Sequence, residues 1–332
     1  MSLIAAIVLL LPLGLLMGNV HVSAADVWNI LCGRPTAHGE VGEFIILGSR
    51  LPALITSLLA GMALAVSGLM MQTCFANPLA GPSIMGISAG ASLGVAIVVM
   101  LIGGAVGIWG SLATAAGAFG GAMLVMLVLL AFSAMVRSTD ALLIVGILIG
   151  FLVNSIISLL NFFSSSQAVH TFVLWGLGTF NGVSNEILPL FGVLAVVLTL
   201  LCFAYSKSLN ALLFGADYAR GVGVNVGKVR TALLLLSGAL TAVVTAFCGP
   251  VGFIGLVVPH IARMLLDSSN HVVLMPTTAL AGALTGLICQ MISVAPAFSY
   301  GGMLPINAIT PFIGVPVILY VLINRRKLHY FN

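Results

Sequence analysis

The sequence predicts an all-α polytopic membrane protein, a bundle of ten transmembrane helices arranged as two inverted-repeat halves. Three observations carry the class. Of 332 residues, 61% are hydrophobic and 5% charged, and the mean hydropathy is +1.26, a composition foreign to a water-soluble domain of this length. Apolar runs of about 20 residues, enough to cross a hydrocarbon core of about 30 Å, follow one another and end at Gly, Pro or charge clusters. Strand-like alternation is absent, which argues against a β-barrel.

The predicted spans lie at 3–18, 51–71, 84–102, 112–135, 141–162, 187–205, 231–248, 253–266, 275–294 and 307–323. The first precedes Ser23-Ala24-Ala25, which resembles a signal-peptide cleavage site, but no basic segment precedes the apolar run, so it reads as a span. In the third, Gly86, Gly90 and Gly94 recur every fourth residue. That spacing sets them on one helix face, where small residues let backbones approach closely in lipid.

The fifth span carries Gly146, Gly150, Asn154, Ser158, Asn161 and Ser165 at steps of three and four. All six are expected on one face, either as interhelical hydrogen-bonding groups or as the neutral wall of a solvated pathway. Residues 231–266 are apolar throughout, yet as one helix they would measure about 54 Å, more than a tilted span hides. The run must break, and Gly249, Pro250 and Gly252 mark the place.

Basic residues set the orientation. With the loop at 206–230 inside, Arg137, Lys207, Arg220, Lys228, Arg230, Arg263, Arg325, Arg326 and Lys327 all fall inside and only Arg34 and Arg50 outside. Trp28, Trp109 and Trp175 then sit at or beyond the outer interface, and both termini are cytoplasmic. The net charge of +4 is this bias and implies no nucleic-acid partner. Cys32, Cys74, Cys202, Cys248 and Cys289 are scattered singly, without metal-ligand spacing.

Asp26, Glu40, Glu43, Asp140, Glu186, Asp217 and Asp267 all map to loops or span ends, so no acid stands at mid-membrane to bind a coupling ion. The run GVGVNVGKV at 221–229 places Val222 and Val229 where a phosphate loop needs Gly and Ser/Thr. The chain is therefore expected to bind no cofactor and catalyse no reaction itself, with any ATP hydrolysed on another polypeptide. An ion-coupled carrier using backbone carbonyls, or a membrane scaffold without transport, are the competing readings. LLAGMALAV from Leu58 aligns with LLSGALTAV from Leu235, running the opposite way through the membrane, which suggests repeat units at about 51–162 and 231–323 within one transmembrane domain spanning 1–332.

Two longer motifs point to a family. The run RLPALITSLLAGMALAVSGLMMQTCFANPLAGPSIMGISAGAS, Arg50 to Ser92, resembles the first signature of FecCD-type permeases, and Gly249 to Arg263 resembles the second, G-x-x-GFIGL-x-x-PHI-x-R. The resemblance implies the type II ABC importer permease fold. It implies a bacterial inner-membrane subunit of an importer for an iron-siderophore, haem or cobalamin-type chelate. Such a subunit pairs with a second copy of itself, with two ATP-binding cassette subunits that hold ATP and Mg, and with an extracytoplasmic substrate-binding protein.

By the same resemblance the pathway follows the dimer axis beside the fifth and tenth spans, and the 206–230 loop docks into the ATPase. Leu212, Phe214, Gly215, Ala216, Asp217, Ala219, Arg220 and Gly223 are the expected coupling residues, with Leu213, Tyr218 and Val222 completing an apolar face. Arg50 matches the first of the family's outward arginines for the binding protein, whereas Ala53, Cys289 and Gln290 replace charged positions. Arg263 is expected at the inner interface and His260 as a packed or capping residue, not a metal ligand.

Overall fold

The computed structural model describes residues 2–323 except 19, 36–38, 84, 104–106, 137–138 and 296–301. Arg137, Arg325, Arg326, Lys327 and both chain ends therefore lie outside the described residues. Every regular element among the described residues is helical. In order these are α1 (Ser2–Leu16), α2 (Ala24–Leu31), α3 (Gly39–Glu43), α4 (Leu51–Cys74), α5 (Ile87–Ala96), α6 (Gly107–Met135), α7 (Thr139–Phe163) and α8 (Ser166–Gly176). They continue as α9 (Leu188–Phe203), α10 (Ser206–Leu213), α11 (Ala216–Gly221), α12 (Val226–Cys248), α13 (Ile254–Leu266), α14 (His271–Val294) and α15 (Ile306–Ile323). π-Helical turns at Phe44–Arg50 and Ile97–Leu101 join α3 to α4 and extend α5.

Among the described residues, five stretches are long and apolar enough to cross a bilayer: Gly39–Cys74, Trp109–Ser133, Ala141–Phe163, Val226–Cys248 and His271–Val294. The ten expected spans all correspond to helices, but α1, α5, α9 and α13 are shorter than that. α13 has 13 residues, about 20 Å of helix, and α9 meets α10 at a 50° bend.

α4 is the centre of the bundle. It packs against α14, α12, α13 and α9, and 18 of its 24 residues are buried. Glycines set these approaches. A Cβ on Gly61 would overlap the Gly282 carbonyl, and one on Gly68 would overlap Gly255 of α13. Between α4 and α12 the Ser67 hydroxyl lies 2.7 Å from Ser237 Oγ and 3.0 Å from Thr241 Oγ1. The periodic glycines of α5 act as their spacing predicts, with Gly90 against the Gly121 carbonyl and Gly94 against that of Gly117 on α6.

The pairings have a regular pattern. α4 packs on α14 as α12 packs on α6, α5 packs on α6 as α13 packs on α14, and α13 packs on α4 as α5 packs on α12.

The break after α12 falls where the sequence places it. Gly249 has φ 74° and Phe253 φ 66°, and a Cβ on Gly249 would approach the Trp175 carbonyl to 2.6 Å. The peptide groups freed by the break find partners in two neighbouring segments. The Cys248 carbonyl accepts from Thr179 N–H at 2.8 Å, and Gly252 N–H donates to Asn307 Oδ1 at 3.2 Å. Asn307 Nδ2 in turn donates to the Gly176 carbonyl at 3.1 Å. Irregular backbone survives at membrane depth only with such partners.

Candidate functional site

The 206–230 segment forms two short helices, α10 and α11, and then enters the long helix α12 at Val226. Gly215, at φ 97° and ψ 163°, makes the turn between α10 and α11, a conformation open essentially to glycine alone. On either side of it Phe214, Tyr218 and Val222 are 64%, 52% and 56% exposed, and the two rings lie 5.1 Å apart. Gly215, Ala216, Asp217, Arg220 and Gly223 are exposed beside them. Asp217 and Arg220 form an ion pair at 2.6 Å, exposed and so of small energetic weight.

Ala219 departs from the expected coupling surface. It is 0% exposed, and its carbonyl accepts from Val224 N–H at 2.9 Å. Leu212 also turns inward, half-buried against the core. Leu212 holds the pair onto the bundle and Ala219 is buried within the segment, while the aromatic face is exposed. The inner side is tied by polar contacts as well. Asn210 Oδ1 accepts from His271 N–H at 2.7 Å, and Ser206 Oγ lies 3.1 Å from Met275 Sδ.

The six-residue stripe divides. Gly146 is buried, with an added Cβ meeting Met85 Cα at 2.8 Å, and Gly150 faces Gly86. These two seat the start of α5. Asn154 and Ser158 are exposed, and Ser158 Oγ donates to the Asn154 carbonyl at 2.9 Å, which satisfies the hydroxyl within its own helix. Asn161 Oδ1 is buried with no hydrogen-bond partner among the described residues. Ser165 lies off the face, because α7 ends at Phe163 and Ser165 instead caps α8, accepting from Ala168 N–H at 3.3 Å. Leu148, Phe151, Leu152 and Leu159 flank the exposed pair, and Phe312, Val315 and Leu319 are exposed on α15.

Arg50 is turned inward. Its guanidinium donates to the Leu15 carbonyl at 2.7 Å and to the Val20 carbonyl at 2.5 Å, closing the C-terminal end of α1, where cations are favoured. It borders a cavity of about 230 Å³ that Ser49, Asn181 and Gln290 also line. Gln290 Nε2 donates to Asn181 Oδ1 at 3.0 Å. The half-buried guanidinium thus has an internal task that its sequence position did not reveal.

His260 is buried against the Pro78 carbonyl at 2.9 Å, and Arg263 donates to Gln72 Oε1 at 2.7 Å. No cluster of three His, Cys, Asp or Glu side chains able to hold a metal occurs among the described residues.

The profile of the FecCD transport family matches residues 5–324. The chain belongs to the FecCD family. It is 35% identical to the vitamin B12 import system permease protein BtuC of Salmonella typhi, over 286 residues and 86% of each chain. The BtuC protein of Escherichia coli O9:H4 is 36% identical over the same share. Among solved structures, an inward-facing conformation of a metal-chelate type ABC transporter aligns over 98% of both chains with a TM-score of 0.83 and 26% identity. PsaBC from Streptococcus pneumoniae aligns over 82% of this chain and 90% of its own with a TM-score of 0.53 and 16% identity, a likeness of fold alone. The FecCD chain is a multi-pass membrane permease.

Proposed function

We propose that this chain is the permease subunit of an ATP-binding cassette importer. It moves an iron-siderophore, haem or cobalamin-type chelate across the bacterial inner membrane by alternating access. The observation that carries this reading is the α10–α11 pair, which presents exposed aromatic residues beyond the spans of a bundle that has no complete phosphate loop in its own sequence. Likeness to BtuC and to a metal-chelate transporter supports the cargo class.

In this reading α1, α4, α5, α6, α7, α9, α12, α13, α14 and α15 are the ten spans. The short ones are housed by neighbours, and both termini are cytoplasmic. The reciprocal pairings of α4 with α14 and α12 with α6 support two inverted units at about 51–162 and 231–323. A second copy of the chain faces the exposed surfaces of α7 and α15. Two ATPase subunits, carrying ATP and Mg, receive Phe214, Tyr218 and their neighbours, and the chain itself holds no cofactor. A substrate-binding protein delivers cargo from outside. Arg50 serves that docking through the α1 end it holds in place.

Purification from its source tests the assembly. The expected result is a homodimer with two ATPase subunits whose hydrolysis rises with a binding protein loaded with cyanocobalamin, haem or a ferric siderophore. Uptake into liposomes driven by an ion gradient without nucleotide would overturn it.

Asn154→Cys and Ser158→Cys test the pathway. Both are expected to react with water-soluble thiol reagents in at least one nucleotide state of the transporter. Inertness in every state would assign the face to packing.

A further inference from the structure

At the inner junction of α10, α14 and α4, the hydrogen bonds can be assigned a direction from their unambiguous donors. Val272 N–H donates to Asn270 Oδ1 at 3.0 Å, which fixes that oxygen as an acceptor. Asn210 Nδ2 must therefore be the group donating to it at 2.8 Å. The Asn210 oxygen then faces His271, accepting from the backbone N–H at 2.7 Å and from the ring Nδ1, which lies at 3.0 Å. Nδ1 thus carries the ring proton, and Nε2 of the neutral imidazole is left as an acceptor.

Opposite Nε2, at 2.8 Å, stands Thr73 Oγ1 at the end of α4. A hydroxyl has one proton. Thr73 could also donate to the Leu69 carbonyl at 3.1 Å, but only donation to Nε2 completes the ring. Two buried acceptors and one proton leave no slack, and His271 is 0% exposed. The Thr73–His271 link is buried and the Asn210–His271 link half-buried, so breaking the Thr73 link strands a desolvated group and the geometry is fixed there.

We infer that His271 is a positioning residue that gears the α10–α11 pair to the membrane core: it links Asn210 on α10 to Thr73 on α4, so that displacement of the pair is passed to α4 and α14 as one body. The inference rests on the reading of α10–α11 as the ATPase-docking segment. Capping alone does not account for the arrangement. Asn270 already caps α14 with its own side chain, and the imidazole's reach to Thr73 adds nothing to that cap. What the ring adds is a connection between elements 198 residues apart in the chain. α4 and α14 are themselves in glycine-mediated contact at Gly61 and Gly282, so a push on either is felt by both.

The test uses the permease isolated with its ATPase, in lipid nanodiscs, with Ser158→Cys as reporter in a Cys32→Ser background. The reaction rate with a water-soluble methanethiosulfonate is compared between the nucleotide-free state and the state trapped with ATP and vanadate. With the junction intact the two rates are expected to differ by about fivefold or more, the lower end of ordinary coupling between sites. Thr73→Val, which keeps the shape and removes the proton, is expected to bring the ratio close to one in a complex that still assembles. Thr73→Ser restores the ratio. If Thr73→Val does not assemble, Asn210→Ala breaks the chain at its outer link and is expected to have the same effect.

Retention of the ratio within about twofold in an assembled Thr73→Val or Asn210→Ala complex would overturn the inference. Reaction of Ser158→Cys at equal rates in both states with the junction intact would instead remove the docking reading, and the inference with it. The two failures occur in different samples.

Discussion

Replacing Gly68 with valine is expected to leave little folded permease to purify. Gly68 lies in the last third of α4, and a Cβ there would overlap the carbonyl of Gly255 on α13 and come within 2.7 Å of its Cα. Overpacking a core where side chains can move aside costs about 1–3 kcal/mol. Here the obstruction is backbone on the facing helix, so the cost exceeds that range. It is a large part of a total stability of about 5–15 kcal/mol. Size-exclusion profiles of detergent extracts should lose the monodisperse peak. Gly120→Ala is the matched control, because an added Cβ on that α6 residue meets no atom within 4 Å. Alanine there is expected to be neutral or to stabilise by about 0.5–1 kcal/mol. Equal yields of the two variants would show that α4 and α13 are not held at backbone contact.

That contact explains part of what sequence could and could not reveal. The spacing of Gly86, Gly90 and Gly94 predicts a packing face; Gly90 and Gly94 use it against α6, because the period of a helix is a local property, whereas Gly86 stands just before α5 at φ 77° and meets Gly146 and Gly150 of α7. The break at Gly249 was legible for the same reason, since φ 74° is a conformation that glycine supplies. The two FecCD signatures were legible as strings of residues. By contrast, hydropathy does not register the 50° bend between α9 and α10, so the expected span at 187–205 comes out as a helix of 16 residues.

Side-chain destinations were not legible. Arg50 reads as an outward charge, yet its partners are carbonyls 35 and 30 residues earlier in the chain. Ala219 and Tyr218 are neighbours in sequence, and only the fold decides that one is buried and the other exposed. A helix of six residues offers fewer than two turns, too few for periodicity to assign a face. Ser165 illustrates the boundary error: it continues the helical spacing of the stripe, but Ser164 intervenes after the end of α7 and the serine becomes a cap. The Asn210–His271–Thr73 junction has no local signal at all, because its three members come from three distant segments.

The inward turn of Ala219 also decides which substitutions can test the ATPase contact. An acid at Ala219 would disturb packing within α10–α11, so loss of transport there would not separate docking from folding. Phe214→Ala with Tyr218→Ala does separate them, since both rings face outward and touch each other across 5.1 Å. Truncating an aromatic anchor at an interface costs about 2 kcal/mol or more, a factor of about 30 in affinity. The double variant is expected to insert and run at the same size in detergent while the ATPase no longer co-purifies and transport is lost. Gly215→Glu should act similarly by a different route. Its φ of 97° would cost a non-glycine residue about 1–3 kcal/mol, and the strain would be relieved by reorienting α11, with no atom within 4 Å to resist the new side chain. If the aromatic pair can be removed with ATPase stoichiometry and transport intact, the exposed face of α10–α11 is not where hydrolysis is coupled to the membrane core.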